Sequence, residues 1–256
     1  MKRGMATHPD VHFTCNGCGK CCHDLRLPVG IEEALSWMAR GGEVQVLVSA
    51  APWVREPAPD DAVAQYKRER TFLARTAGVP IRVSALLVAA FDGACPFLLP
   101  NMLCGGYEER PRVCRIFPAE VNPRALISPA NKPCPPEVWT GDNELFARDN
   151  VAVSEENQAL IASVRQSTID EVAAKGRLCA VLGIDVAAIE SEGYAIYKPS
   201  AETLRTALSE EWEVVEPTVW RIVSNRTRSL EVLGSSGVAA DAGGGRWSYH
   251  GFNPAD

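Results

Sequence analysis

No apolar run in this 256-residue chain approaches the roughly 20 residues that a membrane-spanning helix requires. Basic residues are also too few for a general nucleic-acid surface: 26 Lys and Arg stand against 32 Asp and Glu, a formal net charge of −6. Phosphate binding needs the opposite balance. Behind Lys2 and Arg3 there is no apolar stretch, so residues 1–13 do not read as a secretory signal. Histidine is scarce at four residues, and no G-x-G-x-x-G nucleotide loop occurs. No internal repeat is visible. These absences leave the expectation of a cytoplasmic protein that binds neither membrane nor nucleic acid.

Hydrophobic residues make up 46% of the chain and charged residues 23%, enough to bury one large core or two small ones. The unusual residue is cysteine. Of nine, eight lie at Cys15, Cys18, Cys21, Cys22, Cys95, Cys104, Cys114 and Cys134. A reducing cytosol keeps thiols unpaired, so disulfides explain such crowding poorly and metal ligation explains it better. The ninth, Cys179, lies in the apolar stretch Leu178 to Leu182 and reads as a small core hydrophobe.

The fold expected is α+β, a small cysteine-rich domain stapled by metal over residues 10–140. A helical region over 141–234 and a flexible tail over 235–256 follow it. Residues 1–12 read as a loose leader. Ile31 to Arg40 reads as a helix stopped by Gly41 and Gly42, and Glu43 to Val48 as a strand. Asp60 or Asp61 caps a helix expected to end near Gly78, and Arg82 to Phe91 reads as a buried strand. From Asp92 to Pro136 periodicity is weak and Gly, Pro and Cys are frequent, as in segments held by something other than an apolar core. Ser154 starts a helix expected to reach Lys175 with Gly176 at its end. Ser200 starts a second, with Leu204, Leu208 and Trp212 spaced by four, and Pro217 a third that carries Val219, Ile222, Val223 and Leu230.

Cys15, Cys18 and Cys21 are spaced by three, which lets neighbouring sulfurs turn toward one centre while Gly17 and Gly19 keep the loop open. Zinc knuckles and ferredoxin-type cluster loops share this spacing. Side chains of adjacent residues leave the backbone in different directions, so Cys21 and Cys22 are not expected to serve one tetrahedral ion together. Eight cysteines divide into two four-thiolate sites, or into one cluster plus a second ion. Thiolates select zinc, copper(I) or iron–sulfur clusters over magnesium or calcium. Cys95-Pro96 and Cys134-Pro135 lean toward iron–sulfur, because proline often follows a ferredoxin-type ligand.

Phe13-x-Cys15-x2-Cys18-Gly19-Lys20-Cys21-Cys22 resembles the opening motif of the YkgJ-type CxxCxxCC cysteine-cluster family, described as a zinc- or iron-chelating domain. Cys95-Pro96-Phe97-Leu98, then Cys104-x2-Tyr107-x2-Arg110-Pro111-x2-Cys114-Arg115-x-Phe117-Pro118, is similar to its second block, and Cys134-Pro135 to its closing block. The resemblance covers about residues 13–136. It implies that all eight cysteines are metal ligands, with an iron–sulfur cluster or zinc as cofactor in a structural or redox role. The family includes the flagellin lysine N-methylases, so an alternative activity is S-adenosylmethionine-dependent protein lysine methylation, with a protein as substrate. A further alternative is a zinc-stapled scaffold that binds a partner protein.

Arg110, Arg112 and Arg115 crowd beside Cys114. Their charge would offset the net −2 of a four-thiolate zinc site, and Arg110 or Arg115 could instead grip a carboxylate or phosphate beside it. Tyr107 could stack or donate a hydrogen bond there. His12 and His23 flank the first cysteine block but are not needed as ligands. His8 and His250 fall in ends expected to be mobile.

Overall fold

A computed structural model describes residues 8–209, 219–235, 237–238, 240–241 and 245–254. Along the chain run β1 (Val11–His12), β2 (His23–Val29), α1 (Ile31–Ala39), β3 (Glu43–Pro52), α2 (Ala62–Glu69), β4 (Phe72–Thr76) and β5 (Val79–Ala94). Next come α3 (Arg112–Arg115), β6 (Leu145–Arg148), β7 (Val151–Ala152), α4 (Glu155–Asp170), α5 (Val172–Val181), β8 (Val186–Ile189) and β9 (Gly193–Tyr197). Then follow α6 (Ala201–Ser209), β10 (Arg221–Val223), α7 (Thr227–Ser235), β11 (Ala240–Asp241) and β12 (Trp247–Gly251). The mixture of helices and strands agrees with the α+β expectation.

The chain packs into two units that interleave in sequence. One takes Met1–Leu27 with Ala90–Ser167, the other Pro28–Ala89 with Thr168–Asp256. The sequence places a boundary near residue 140 instead, because linear composition does not show a chain leaving one unit and returning to it.

The second unit is built on a mixed sheet around β3. Seven consecutive residues of β3, Val44 to Ala50, are buried, as suits a strand covered on both faces. It pairs antiparallel with β9, Val46 opposite Tyr197, and parallel with β8, Ser49 opposite Ala188. Parallel pairing continues from β8 to β10 and from β10 to β11. In α1, Ala34, Trp37 and Met38 are buried, and the Gly30 N–H donates to the Glu33 carboxylate at 2.9 Å. The helix stops where Gly41 turns to φ 86°.

Several sequence expectations are corrected here. The helix capped by Asp61, whose Oδ1 accepts from the Ala64 N–H at 3.0 Å, ends at Glu69 and not near Gly78. Residues 72–76 alternate in burial and pair with β5 across a turn at Ala77 and Gly78, so hairpin pairing overrides helical propensity. The helix expected over 154–175 is two helices, α4 and α5, and Gly176 lies inside α5, where an added Cβ would stand 3.4 Å from the Phe72 ring. Ile222 and Val223 belong to strand β10, not to a helix starting at Pro217; Pro217 and Trp212 lie outside the described residues. The region 141–234 is therefore not simply helical. Within the expected tail, Trp247–Gly251 forms a strand along β9, which also places His250 in regular structure.

The first unit carries a three-stranded sheet in the order β1-β6-β7. Val11 and His12, expected in a loose leader, pair with Ala147 and Leu145; residues 1–7 lie outside the described residues. A small apolar cluster of Ile116, Ala119, Ile127, Ala147, Ala152 and Ile161 backs this sheet, flanked by Val11, Val121, Phe146 and Leu160. The Asp92–Pro136 segment thus contributes to an apolar core of its own, which weak periodicity concealed.

Candidate metal centre

The first cysteine block hangs between two anchors. On its N-terminal side Phe13 is buried and its ring packs against Trp139 (centroids 4.7 Å apart), Phe146 and Phe117. The Phe13 N–H donates to the Glu144 carbonyl at 2.9 Å, and the Thr14 N–H to that of Val138 at 3.1 Å. Beyond this anchor the chain turns through Gly17 (φ 69°) and Gly19 (φ 67°), a backbone region that side chains disfavour. Met102 lies over Gly19, and a Cβ there would meet its Cε at 2.7 Å. A single 3-10 turn, Lys20–Cys22, closes with the Cys22 N–H donating to Gly19 at 2.9 Å. On the C-terminal side the Cys22 carbonyl accepts from the Cys95 N–H at 2.7 Å.

The later cysteines are positioned by short local bonds. After Cys95 the chain doubles back: Leu98 and Cys104 form an antiparallel bridge, and the Gly105 N–H donates to the Phe97 carbonyl at 2.7 Å. Cys114 sits on the one-turn α3, its N–H donating to Pro111 at 2.8 Å. Cys134 stands two residues before the 3-10 turn Pro136–Trp139, with Pro135 as its N-cap. None of the nine cysteines is in a disulfide. Cys15 is exposed and the other seven of the group are half-buried, whereas Cys179 is buried in α5 as a core residue.

The sulfurs act on one another electrostatically. Cys21 and Cys22 place their Sγ atoms 3.9 Å apart. The Cys22 thiol donates to Cys21 and lowers its pKa to about 6, helped by Arg110 and His23 and opposed by burial. Cys22 is pushed far up by that same donation, then by burial and by the charges of Cys21, Cys95 and Cys114. Burial raises Cys114 to about 12, with Cys95, Cys21 and Cys104 adding and Arg110 opposing. Burial also raises Cys134 to about 11, with Cys21, Cys18 and Cys15 adding and Lys132 opposing. The Gly17 N–H donates to the Cys15 sulfur at 3.4 Å.

The three arginines part company. Arg110 stacks on Tyr107, its guanidinium carbon 3.9 Å from the ring centroid, and its charge acts on both Cys21 and Cys114. Among the described residues its buried Nε has no hydrogen-bond partner. Arg115 turns to Glu156 at 3.1 Å, and Arg112 reaches the hydroxyls of Ser163 and Ser167. His12 Nδ1 lies 2.8 Å from the Asn143 carbonyl oxygen and His23 Nδ1 3.2 Å from that of Gly19. Lys132 was not singled out by the sequence, although it stands two residues before Cys134. It acts on that thiol, pairs with Glu120 and lies over the Phe117 ring.

The donor set suits a soft cation: eight thiols in one unit, one of them ionised near neutral pH, with Arg110 and Lys132 beside them. Among the described residues, no three His, Cys, Asp or Glu side chains converge closely enough to hold a metal ion as they stand. Among them also, no helix is long and apolar enough to cross a membrane. No curated protein and no solved structure shows a significant match to the chain. Residues 14–135, which contain all eight clustered cysteines, match the model of the CxxCxxCC family, a "putative zinc- or iron-chelating domain".

Proposed function

We propose that the unit containing residues 14–135 binds iron or zinc through Cys15, Cys18, Cys21, Cys22, Cys95, Cys104, Cys114 and Cys134, as an iron–sulfur cluster or as thiolate-bound zinc. Its role is structural or redox, inside the cell, where reducing conditions keep the thiols available. One observation carries this reading: cysteines from four separate stretches of chain meet in one unit, and the charges of several act on their neighbours. In the metal-free protein burial and the neighbouring sulfurs favour the protonated forms of Cys22, Cys114 and Cys134, and a soft metal takes the place of those protons. Because ligation also stabilises the fold, chelation of anaerobically purified protein should lower its unfolding temperature and restoring the metal should recover it. An unchanged unfolding curve after complete metal removal would contradict the proposal.

The unpartnered Nε of Arg110 favours a second reading, in which this arginine grips a ligand carboxylate beside the sulfurs, such as that of S-adenosylmethionine. A protein lysine would then be the methyl acceptor. Calorimetric titration of S-adenosylmethionine into metal-replete protein tests it, and absence of binding heat removes it.

A further inference from the structure

We infer that the eight cysteines form two centres of four, Cys15, Cys18, Cys21 and Cys134 in one and Cys22, Cys95, Cys104 and Cys114 in the other. This rests on the proposed metal binding and adds the assignment of ligands to it. The first block is tied at its two ends to different stretches of chain. Its N-terminal end is bonded to Val138 and packed on Trp139, four and five residues past Cys134. Its C-terminal end is bonded through the Cys22 carbonyl to the Cys95 N–H. The Leu98–Cys104 bridge then carries Cys104 back beside the Cys95 turn. The block therefore spans from the Cys134 side to the Cys95 side, and its cysteines divide along it.

The block divides between Cys21 and Cys22, whose sulfurs lie 3.9 Å apart, because side chains of adjacent residues leave the backbone in different directions. Cys15, Cys18 and Cys21 then fall on the Cys134 side and Cys22 on the side of Cys95 and Cys104, and Cys114 completes the second four. The two centres are immediate neighbours.

The test uses the full-length chain loaded with zinc alone under anaerobic conditions and counted by native mass spectrometry. Wild type should hold two zinc ions. Each of Cys134→Ser and Cys95→Ser should hold one. The same-set doubles C18S/C134S and C95S/C104S should each retain one, and the cross-set double C95S/C134S none. A second measurement needs no variant: stepwise chelation of wild type with alkylation of the released thiols should label cysteines in these two groups of four. A single zinc in wild type, loss of both ions from a same-set double, or labelling in other groups would overturn the division while leaving metal binding standing. No zinc in wild type would overturn the division into two four-thiolate zinc centres and the zinc form of the binding proposal.

Discussion

The Arg110 guanidinium lies 3.9 Å from the centroid of the Tyr107 ring, and its charge favours the thiolate form of both Cys21 and Cys114, at Cys114 against the burial that raises its pKa. Arg115, also beside Cys114 in sequence, instead forms an ion pair with Glu156 at 3.1 Å. Arg110→Gln should therefore weaken metal binding about 10- to 100-fold, the range for supporting residues around a metal. Arg115→Gln loses a partly exposed ion pair, worth roughly 0–1 kcal/mol, and should leave metal affinity unchanged. Competition with a chelator of known affinity measures both. Equal effects would mean that Arg110 has no special relation to the sulfurs.

Metal binding should strengthen as pH rises from about 6 to 9, because ligating thiols must lose their protons. Cys22, Cys114 and Cys134 are raised, so they stay protonated in the metal-free protein near neutrality and release protons on binding. Cys21, at about 6, contributes little to that release above pH 7. In the metal-free protein the sign is opposite for the raised groups. Their stabilising share is fully present below pH 9 and fades as pH rises toward 11 and 12. The share from Cys21 is present above pH 9 and fades as pH falls through 6. Chelator competition at several pH values checks the first expectation, and urea unfolding of the metal-free protein the second. Affinity independent of pH would contradict ligation by thiols that start protonated.

Cys179→Ala should leave metal content unchanged and cost about 1 kcal/mol of stability, since this thiol is 1% exposed within α5 and burial raises its pKa to about 12. Metal analysis with urea unfolding reads both. Loss of metal from this variant would place Cys179 among the ligands.

Gly193→Ala should destabilise the second unit by about 1–3 kcal/mol, because the new Cβ would meet the His250 carbonyl oxygen of β12 at 2.3 Å. The same substitution at Gly41 meets nothing within 4 Å, but φ of 86° there strains any side chain. Hydrogen exchange at Gly193–Tyr197 should quicken in Gly193→Ala, since Trp247–Gly251 pairs along that strand. Unchanged exchange would mean that the strand pairing carries no stability.

Local signals in the sequence were legible where chemistry is local. Asp61 caps its helix, Gly41 ends another, and the apolar run from Arg82 marks β5. The cysteine spacing likewise pointed to the family whose model matches residues 14–135. What escaped depends on distant pairing. Phe72–Thr76 follows a helix without a break in composition and becomes a strand only by pairing with β5. Ile222 and Val223 take their strand from β8, and Trp247–Gly251 from β9. The proposed division of the cysteines was hidden for the same reason, since the Cys22–Cys95 and Thr14–Val138 hydrogen bonds join residues far apart in the chain. Arg110 and Arg115 look equivalent in sequence and differ because α4 supplies Glu156 to Arg115 while Arg110 stacks on Tyr107.

The most direct test of the account is quantitative iron, zinc and acid-labile sulfide analysis of anaerobically purified full-length protein, with its visible absorption spectrum. The account predicts either iron with matching sulfide and broad sulfur-to-iron absorption, or near-stoichiometric zinc without colour, in both cases with no disulfide among the eight cysteines. Folded protein free of iron and zinc, with those cysteines joined as four disulfides, would contradict it.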